Sequence, residues 1–275
     1  GLVGGVVRAA RPFASLVPGT LGAMGRATDR PSRIGWERRR PGAPKAAVLQ
    51  GCVMQAAFAP AQQAAVELLA ACGYDVVAPP GQSCCGALHL HNGERAEGER
   101  MRTSALAAYS DDVLIVSTSA GCGAALRERA PSQVVDLTEA VARAPQAPAF
   151  APRPERLAVF DPCHLRHAQG VVEEPRVLAG SIATEVVELR DAGRCCGAAG
   201  VYALGQPLLS GRLRDDRVAA IRESGADAVL CGNPGCTLQL RQGLAAAGLD
   251  HVRVSHPAEL AIEALARSGD QGRPR

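Results

Sequence analysis

The chain has 275 residues, of which 47% are hydrophobic and 21% are charged, an ordinary composition for one large or two moderate globular domains. Aromatic residues make up only 3%, so aliphatic side chains must fill the core. The net charge is only +3, and the sequence has no stripe of basic residues interleaved with aromatic ones. We therefore expect no nucleic-acid partner. No apolar run approaches the ~20 residues that span a bilayer.

The first 44 residues differ in composition from the rest of the chain. Residues 1–25 are apolar with scattered arginine, begin with Gly1 instead of Met, and lack a convincing signal-peptide cleavage site. Residues 26–44 are rich in Arg, Pro and Gly. We therefore expect a piece of a longer chain, located in the cytoplasm, in which residues 1–44 form an N-terminal arm or linker.

Cysteine is the unusual residue of this sequence. Ten cysteines without an export signal favour metal or redox chemistry over a disulfide framework. Two pairs, Cys84-Cys85 and Cys195-Cys196, are adjacent in the chain, where a disulfide between neighbours would strain the intervening peptide. Adjacent thiolates are better explained as two ligands of one centre.

Eight of the cysteines form a pattern that occurs twice, and we call them the repeat cysteines. Each copy has a single cysteine, a vicinal pair followed by glycine, and a final Gly-Cys. The first copy contains Cys52, Cys84, Cys85 and Cys122, and the second contains Cys163, Cys195, Cys196 and Cys236. The single cysteine precedes the pair by 32 positions in both copies, whereas the last interval is 37 positions in one and 40 in the other. This repetition predicts two units, residues 45–150 and 151–275.

The predicted elements place every repeat cysteine just after a strand. Short apolar runs predict strands over 45–50, 74–78, 112–118, 156–160, 185–189 and 227–230. Helical spacing of apolar residues predicts helices over 60–72, 94–109 and 207–223. Alternating strands and helices indicate an α/β fold, here two tandem pseudo-symmetric units with parallel sheets. The cysteines then lie at the carboxyl ends of the strands, where sites form in such sheets.

This placement predicts that the four thiolates of each copy converge on one metal centre. Helix amino termini favour thiolates, and the glycine after each vicinal pair gives the backbone freedom to turn both side chains inward. Four thiolates suit an iron–sulfur cluster or zinc. Ligands spread over 70 positions, from Cys52 to Cys122, favour the cluster over a structural zinc site. Zinc in one half and buried structural cysteines are the alternatives.

Five stretches carry a resemblance to a known family. They are LQGCVMQAAFAP (49–60), PPGQSCCGALHLHNGE (79–94), DPCHLRHAQGV (161–171), CCGAAGVYALGQP (195–207) and GNPGCTLQL (232–240). They resemble the cysteine-rich CCG domain of heterodisulfide reductase B subunits, anaerobic glycerol-3-phosphate dehydrogenase C subunits, lactate-utilisation proteins and glycolate oxidase iron–sulfur subunits. The similarity is greatest to the last group and covers residues 46–265.

The resemblance implies an electron-carrying subunit of a glycolate dehydrogenase. Such a subunit works with flavin-binding subunits that oxidise glycolate to glyoxylate, and it passes electrons towards quinone. It implies [4Fe–4S] clusters bound by the eight repeat cysteines, and peripheral association with the inner face of the membrane. We expect an oxidoreductase subunit that is inactive alone, because no Gly-rich dinucleotide fingerprint follows a strand.

Three features depart from the family pattern. The chain has no CxxCxxCxxxCP run, so we expect the ferredoxin-type cluster domain to be absent from it. The heterodisulfide reductase form ends each copy with CxxC, and the first position of that motif is Ser119 in one copy and Asn233 in the other. A four-cysteine cluster therefore fits better than a five-thiolate one. The segment after Cys122 is also shorter than the family leads us to expect.

For other residues near the motifs, a structural role and a functional role are both open. Cys231, His164 and Asp161 are candidates to support the centre from outside its ligand set, with Cys231 either buried or a fifth ligand. Cys72, outside the repeat, is expected to be a buried inert thiol. His89 and His91 are expected to be solvent-exposed loop residues. Two other functions stay open, a thiol–disulfide reductase and a zinc-containing assembly scaffold.

Overall fold

The computed structural model describes the backbone of residues 34–270 and the side chains of residues 34–265. Two four-stranded sheets run through this part of the chain, and every strand pair within them is parallel. The first sheet has the order β2-β1-β3-β4 and contains β1 (Lys45–Val48), β2 (Asp75–Val76), β3 (Val113–Ser117) and β4 (Val134–Asp136). The second has the order β6-β5-β7-β8 and contains β5 (Arg153–Phe160), β6 (Ala183–Glu188), β7 (Ala228–Cys231) and β8 (Arg253–Ser255). The matching order confirms the predicted fold of two tandem α/β units.

Helices connect the strands of each sheet. The first unit contains α1 (Cys52–Ala57), α2 (Ala59–Ala71), α3 (Ala87–His91), α4 (Arg95–Leu106), α5 (Ala120–Arg127) and α6 (Leu137–Ala142). The second contains a π-helical turn (His164–Ala168), α7 (Glu173–Ile182), α8 (Tyr202–Gly205), α9 (Pro207–Ser224), α10 (Pro234–Ala246) and α11 (Pro257–Asp270). The three predicted helices correspond to α2, α4 and α9.

Both faces of each sheet are buried, as the short apolar strands require. In β1, Ala46 and Val48 pack into a core that both units share, while Ala47 packs on the opposite face within the first unit. In β5, Leu157 faces the shared core and Ala158 faces the other side. Successive side chains of a strand point to opposite faces, so one continuous apolar run serves two cores.

The shared core joins the two units into one body. Helices α2 and α6 of the first unit and α7 and α11 of the second pack together between the two sheets. Their apolar side chains, such as Leu68, Leu69 and Ile182, have no exposed surface. Each buried leucine or isoleucine contributes about 2 kcal/mol of transfer free energy. The relative placement of the two sheets is therefore set by aliphatic packing.

The end of the predicted N-terminal arm lies against the edge of the first sheet. Arg38 pairs with Val76 as an antiparallel bridge, and the guanidinium of Arg39 forms an ion pair with the buried carboxylate of Asp75 at 2.9 Å. Residues 1–33 of the arm lie outside the described residues, and the boundaries at 44 and 150 stay a prediction. Among residues 34–270, no helix combines the length and apolar character that a bilayer crossing requires.

Candidate metal centre

The single and the final cysteine of each repeat lie at helix amino termini that follow strands. Cys52 is the first residue of α1, after β1, and Cys122 is the third residue of α5, after β3. In the second unit, Cys163 lies between β5 and the π-helical turn, and Cys236 is the third residue of α10, after β7. All four therefore sit at the carboxyl ends of the two inner strands of each sheet, as predicted.

A glycine with positive φ follows each vicinal pair and turns the chain there. Gly86 has φ +74° and Gly197 has φ +82°, values that side-chain-bearing residues rarely adopt. The glycines also allow close packing, because a Cβ would lie 2.4 Å from the carbonyl oxygen of Gly98 in the first unit and 2.5 Å from that of Ser210 in the second. Both conditions require glycine, which explains the repeated CCG.

One cavity of about 190 Å³ lies between the two units, and all eight repeat cysteines line it. The two sets of four thiols therefore face each other across the same space. His91 and His164 also line the cavity, one from each unit, and their ring centroids are 4.8 Å apart. Leu238 of α10 packs against Met54 of α1, and both side chains line the cavity.

The thiols of the first unit are hydrogen-bonded to one another. The sulfurs of Cys52 and Cys84 are 3.7 Å apart. Thiol hydrogen bonds from Cys52 and Cys85 lower the pKa of Cys84 to about 2, whereas its hydrogen bond with Cys84, together with burial, raises the pKa of Cys52. A hydrogen bond from Cys85 lowers the pKa of Cys122. The four thiols of this unit thus form one connected group.

The second unit repeats this arrangement. Thiol hydrogen bonds from Cys163 and Cys196 lower the pKa of Cys195 to about 2, and the pKa of Cys163 is raised by its hydrogen bond with Cys195. The sulfurs of Cys196 and Cys236 are 3.0 Å apart. In both units, therefore, the first cysteine of the vicinal pair has a lowered pKa and the single cysteine a raised one, for the same physical reasons.

Backbone N–H groups also point at the sulfurs. The N–H of Gly197 donates to the sulfur of Cys195 at 3.3 Å. The N–H of Gly86 acts in the same way on Cys84 and helps to lower its pKa. N–H groups one or two residues further along the chain also favour the thiolate forms of Cys52, Cys85, Cys163 and Cys196. Hydrogen bonds of this kind stabilise negative charge on sulfur.

The three residues predicted to support the centre lie at the end of β7 or just after β5, and their supporting role stays a prediction. The buried carboxylate of Asp161 accepts hydrogen bonds from Arg166 at 2.6 Å and from Arg176 at 3.0 and 3.1 Å, which holds the turn that carries Cys163. The Nδ1 atom of His164 is 3.6 Å from the sulfur of Cys163. Cys231 is fully buried at the end of β7.

The remaining sequence candidates lie apart from the thiols or in different elements. Cys72 is fully buried in the shared core, and burial raises its pKa to about 12. His89 and His91 belong to helix α3, not to a loop, and His91 faces the cavity. Burial and the nearby His164 lower the pKa of His91. The expectation of loop residues is therefore wrong for both histidines, whereas His91 is solvent-exposed as expected and His89 is half-buried.

Sequence reasoning noted Ser119 and Asn233 only as missing cysteines, yet both face the cavity. The side-chain amide of Asn233 donates to the sulfur of Cys236 at 3.4 Å, and the hydroxyl of Ser119 donates to Oδ1 of Asn233 at 3.4 Å. The signal was their position, three residues before a cysteine at a helix start. Within residues 34–270, no group of three or more His, Cys, Asp or Glu side chains is arranged to hold a single metal ion.

Comparisons with known proteins agree with this duplicated architecture. The family model described as "Cysteine-rich domain" (CCG) matches the chain twice, over residues 46–127 and 157–241. The two matched segments fall on the two sheets and contain all eight repeat cysteines.

Curated relatives share most of this chain. The probable glycolate oxidase iron-sulfur subunit of Bacillus subtilis (strain 168) is 33% identical over 242 residues, which cover 80% of this chain and 54% of the relative. The glycolate oxidase iron-sulfur subunit of Escherichia coli (strain K12) is 29% identical over 242 residues, covering 79% and 57%. Lactate utilization protein A of Geobacillus kaustophilus is 26% identical over 234 residues, covering 78% and 98%. The chain thus spans a little over half the length of the first two relatives.

The two family matches together cover more than half of the chain. They coincide with the two repeats that the cysteine spacing had indicated, and the similarity to a glycolate oxidase iron–sulfur subunit agrees with the motif resemblance. This protein therefore belongs to the cysteine-rich CCG domain family and carries two copies of that domain.

Proposed function

We propose that this chain is an iron–sulfur electron-transfer subunit of an oxidoreductase complex. The observation that carries the proposal is the convergence of eight thiols, from two equivalent units, on one cavity. In this proposal the four repeat cysteines of each unit bind one centre, and at least one centre is a [4Fe–4S] cluster. The ligands are Cys52, Cys84, Cys85 and Cys122 in the first unit, and Cys163, Cys195, Cys196 and Cys236 in the second.

The donor set fits such a cluster. Iron–sulfur clusters are held by cysteine thiolates, and hydrogen bonds to the sulfurs tune their reduction potentials. A bound cluster would supply a one-electron redox couple. The chain's own part is to hold the thiols on strand ends, to donate N–H groups to the sulfurs, and to enclose the site between apolar side chains such as Leu88 and Leu238.

The proposed complex is of the glycolate dehydrogenase type. The relatives described above are named as glycolate oxidase subunits and a lactate utilization protein, so the proposed substrate class is a small 2-hydroxy acid, with glycolate as the first candidate. Flavin-binding subunits would oxidise it, and this chain would accept the electrons and pass them towards quinone at the inner face of the membrane. A ferredoxin-type cluster domain would be a further partner.

Metal analysis of protein prepared without oxygen tests the proposal. We expect iron and acid-labile sulfide together with a visible absorption band, and we expect dithionite to bleach that band. A variant with Cys84→Ser and Cys195→Ser should lose most of the iron, because serine offers a harder oxygen ligand in each unit. Protein that folds but binds neither iron nor sulfide would contradict the proposal.

Zinc in the first unit is the second candidate. Two sulfurs of a tetrahedral zinc site lie about 3.8 Å apart for Zn–S bonds of about 2.3 Å. The sulfurs of Cys52 and Cys84 have this spacing, at 3.7 Å, but a zinc ion would need the other two thiols of the unit to move closer, because no group of three or more His, Cys, Asp or Glu side chains in residues 34–270 is arranged to hold one ion. A mixed centre would give equal zinc and cluster contents, with zinc lost from Cys84→Ser and iron lost from Cys195→Ser.

A further inference from the structure

Ser119 and Asn233 occupy the same position in the two units. Each is the residue before a helix that starts at the end of an inner strand, Ser119 before α5 and Asn233 before α10. Their backbone angles are nearly identical, with φ −143° and ψ 114° at Ser119 and φ −146° and ψ 123° at Asn233. Each therefore presents its side chain to the cavity that the cysteines line.

The amide of Asn233 connects the two units. Its Oδ1 atom accepts a hydrogen bond from the backbone N–H of Gly121 in the first unit at 3.3 Å. Its Nδ2 atom donates to the sulfur of Cys236 in the second unit at 3.4 Å. Because a backbone N–H can only donate, the oxygen of the amide must face Gly121. The NH₂ group must then face the sulfur.

The hydroxyl of Ser119 lies at the other end of this amide. It donates to Oδ1 of Asn233 at 3.4 Å. This oxygen therefore accepts hydrogen bonds from two groups of the first unit, the Ser119 hydroxyl and the Gly121 N–H, and the NH₂ group of the amide is left to face Cys236.

We propose that Asn233 is a positioning residue that hydrogen-bonds the sulfur of Cys236, raises the reduction potential of the second-unit centre, and ties that sulfur to the first unit through Ser119 and Gly121. This inference rests on the proposed function, because it requires a cluster on the second cysteine set. A reduced cluster carries more negative charge, so a donor to its ligand sulfur stabilises the reduced form more than the oxidised form. The backbone hydrogen bond from Ala120 N–H to the carbonyl of Gly232, at 3.1 Å, keeps the two helix starts together.

The test compares reduction potentials in four proteins with intact cysteines: wild type, Asn233→Asp, Ser119→Ala and Ser117→Ala. Aspartate keeps the size and the acceptor oxygen of Asn233, removes the NH₂ donor and adds negative charge beside Cys236. We expect the one-electron reduction equilibrium of the second-unit cluster to fall at least tenfold, which is ~59 mV. We expect Ser119→Ala, which removes one of the two donors to Oδ1 and keeps the NH₂ group beside Cys236, to lower it by less.

The linkage has its own signature. Ser119→Ala keeps the NH₂ donor of Asn233 but removes one of the two donors that hold its amide in place, so it should shift the second-unit redox step in the same direction as Asn233→Asp and leave the first-unit step unchanged. Ser117→Ala is the matched control, because the Ser117 hydroxyl donates to the carbonyl of Ser119 at 2.8 Å and not to a sulfur. It should leave both potentials within twofold of wild type.

Iron and sulfide contents distinguish a failure of the proposed function from a failure of this inference. Wild type without iron and sulfide would overturn both the proposed function and this inference. Equal iron in all four proteins with unchanged potentials would overturn the inference and leave the proposed function standing. If Asn233→Asp fails to hold iron, Asn233→Ser and Asn233→Ala replace it in the comparison. Asn233→Ser keeps a hydroxyl donor, so its reduction potential should be closer to that of wild type than the potential of Asn233→Ala. No difference between those two would contradict the proposal.

Discussion

Ser117 and Cys231 make the same hydrogen bond in the two units. The hydroxyl of Ser117, at the end of β3, donates to the carbonyl oxygen of Ser119 at 2.8 Å. The thiol of Cys231, at the end of β7, donates to that of Asn233 at 3.8 Å. Cys231 is also hydrogen-bonded to Cys236. It therefore fills the structural position of a serine while touching a proposed ligand.

This relationship predicts that Cys231→Ser keeps the metal centre. Serine can reproduce the hydrogen bond that Ser117 makes, so we expect wild-type iron content and an unchanged visible spectrum. Cys231→Ala should also keep the iron, with a loss of about 1 kcal/mol in unfolding free energy. A changed spectrum or electron paramagnetic resonance signal in both variants, at full iron content, would instead identify Cys231 as a fifth ligand.

Replacing a proposed ligand and replacing a buried bystander should have opposite effects. Cys196→Ser should lose most of the iron of the second unit, because the thiolate is replaced by a harder oxygen donor. Cys72→Ala should keep the iron and lose roughly 1 kcal/mol of stability, because Cys72 lies in the shared core. Iron per chain and denaturant unfolding measure the two effects. Equal iron loss in both variants would mean that unfolding, not ligation, controls the metal.

The sequence alone predicts the cysteine repeat and the alternation of strands and helices within each unit. Short apolar strands such as β1 and the left-handed glycines after each vicinal pair leave clear local patterns. Strands β4 and β8 were missed because each has only three residues and, unlike the equally short β2, no cysteine motif follows it to mark the end of a strand. The meeting of both cysteine sets at one cavity was also missed. It depends on how α2, α6, α7 and α11 pack, which no local pattern records.

The roles of Ser119 and Asn233 illustrate the same limit. Both residues stand where a CxxC motif has its first cysteine, so the sequence indicates only two missing thiol ligands. In the folded chain they are hydrogen-bond donors, Asn233 to the sulfur of Cys236 and Ser119 to the amide oxygen of Asn233, because the helix starts of the two units meet. A contact between residues 114 positions apart, such as Ser119 with Asn233, follows only from the pseudo-symmetric packing.

Asp136 predicts a pH-dependent contribution to stability. Its carboxyl caps α6 through Thr138 and is almost completely buried, and burial raises its pKa to about 6. The folded state therefore keeps a proton that the unfolded state releases near pH ~4. The stability from this group is fully present below about pH 4 and is lost as the pH rises through about 6.

Asp136→Asn should abolish that loss, because an amide caps the helix without titrating. Between about pH 4 and pH 7 the difference in unfolding free energy between wild type and variant should change by up to about 3 kcal/mol. Urea unfolding at several pH values measures it, with Asp250→Asn, at an exposed aspartate, as the control. Parallel pH profiles for wild type and Asp136→Asn would refute the prediction.

The isolated chain should not oxidise glycolate. A flavin would have to carry out the chemistry, and the proposed role assigns that cofactor to partner subunits. We expect no reduction of an artificial dye when purified, iron-loaded chain is mixed with glycolate. Pre-reduced chain should pass electrons to the same dye, which confirms that its clusters are competent. Glycolate-dependent dye reduction without an added flavoprotein would show that the chain has a catalytic site of its own.

The glycine after each vicinal pair should be required for the site. Two substitutions distinguish the cost of its left-handed backbone conformation from the cost of a collision with the neighbouring helix. Gly197 and Gly42 have similar positive φ values, +82° and +89°. A Cβ at Gly42 would meet no atom within 4 Å, whereas one at Gly197 would lie 2.5 Å from the carbonyl oxygen of Ser210. Gly42→Ala therefore has only the cost of a left-handed conformation, about 1 to 2 kcal/mol. Gly197→Ala adds a collision with helix α9.

We expect Gly42→Ala to lower the unfolding free energy by about 1 to 2 kcal/mol and to leave the iron content unchanged. Gly197→Ala should cost more than that and should also lose iron from the second unit, because relief of the collision moves Cys195 and Cys196 away from Cys163 and Cys236. Gly86→Ala should reproduce the effect in the first unit, where the Cβ would lie 2.4 Å from the carbonyl oxygen of Gly98. Iron content measured beside urea unfolding distinguishes the two costs. If Gly197→Ala and Gly42→Ala lose equal stability and keep equal iron, the close approach to α9 does not position the vicinal cysteines.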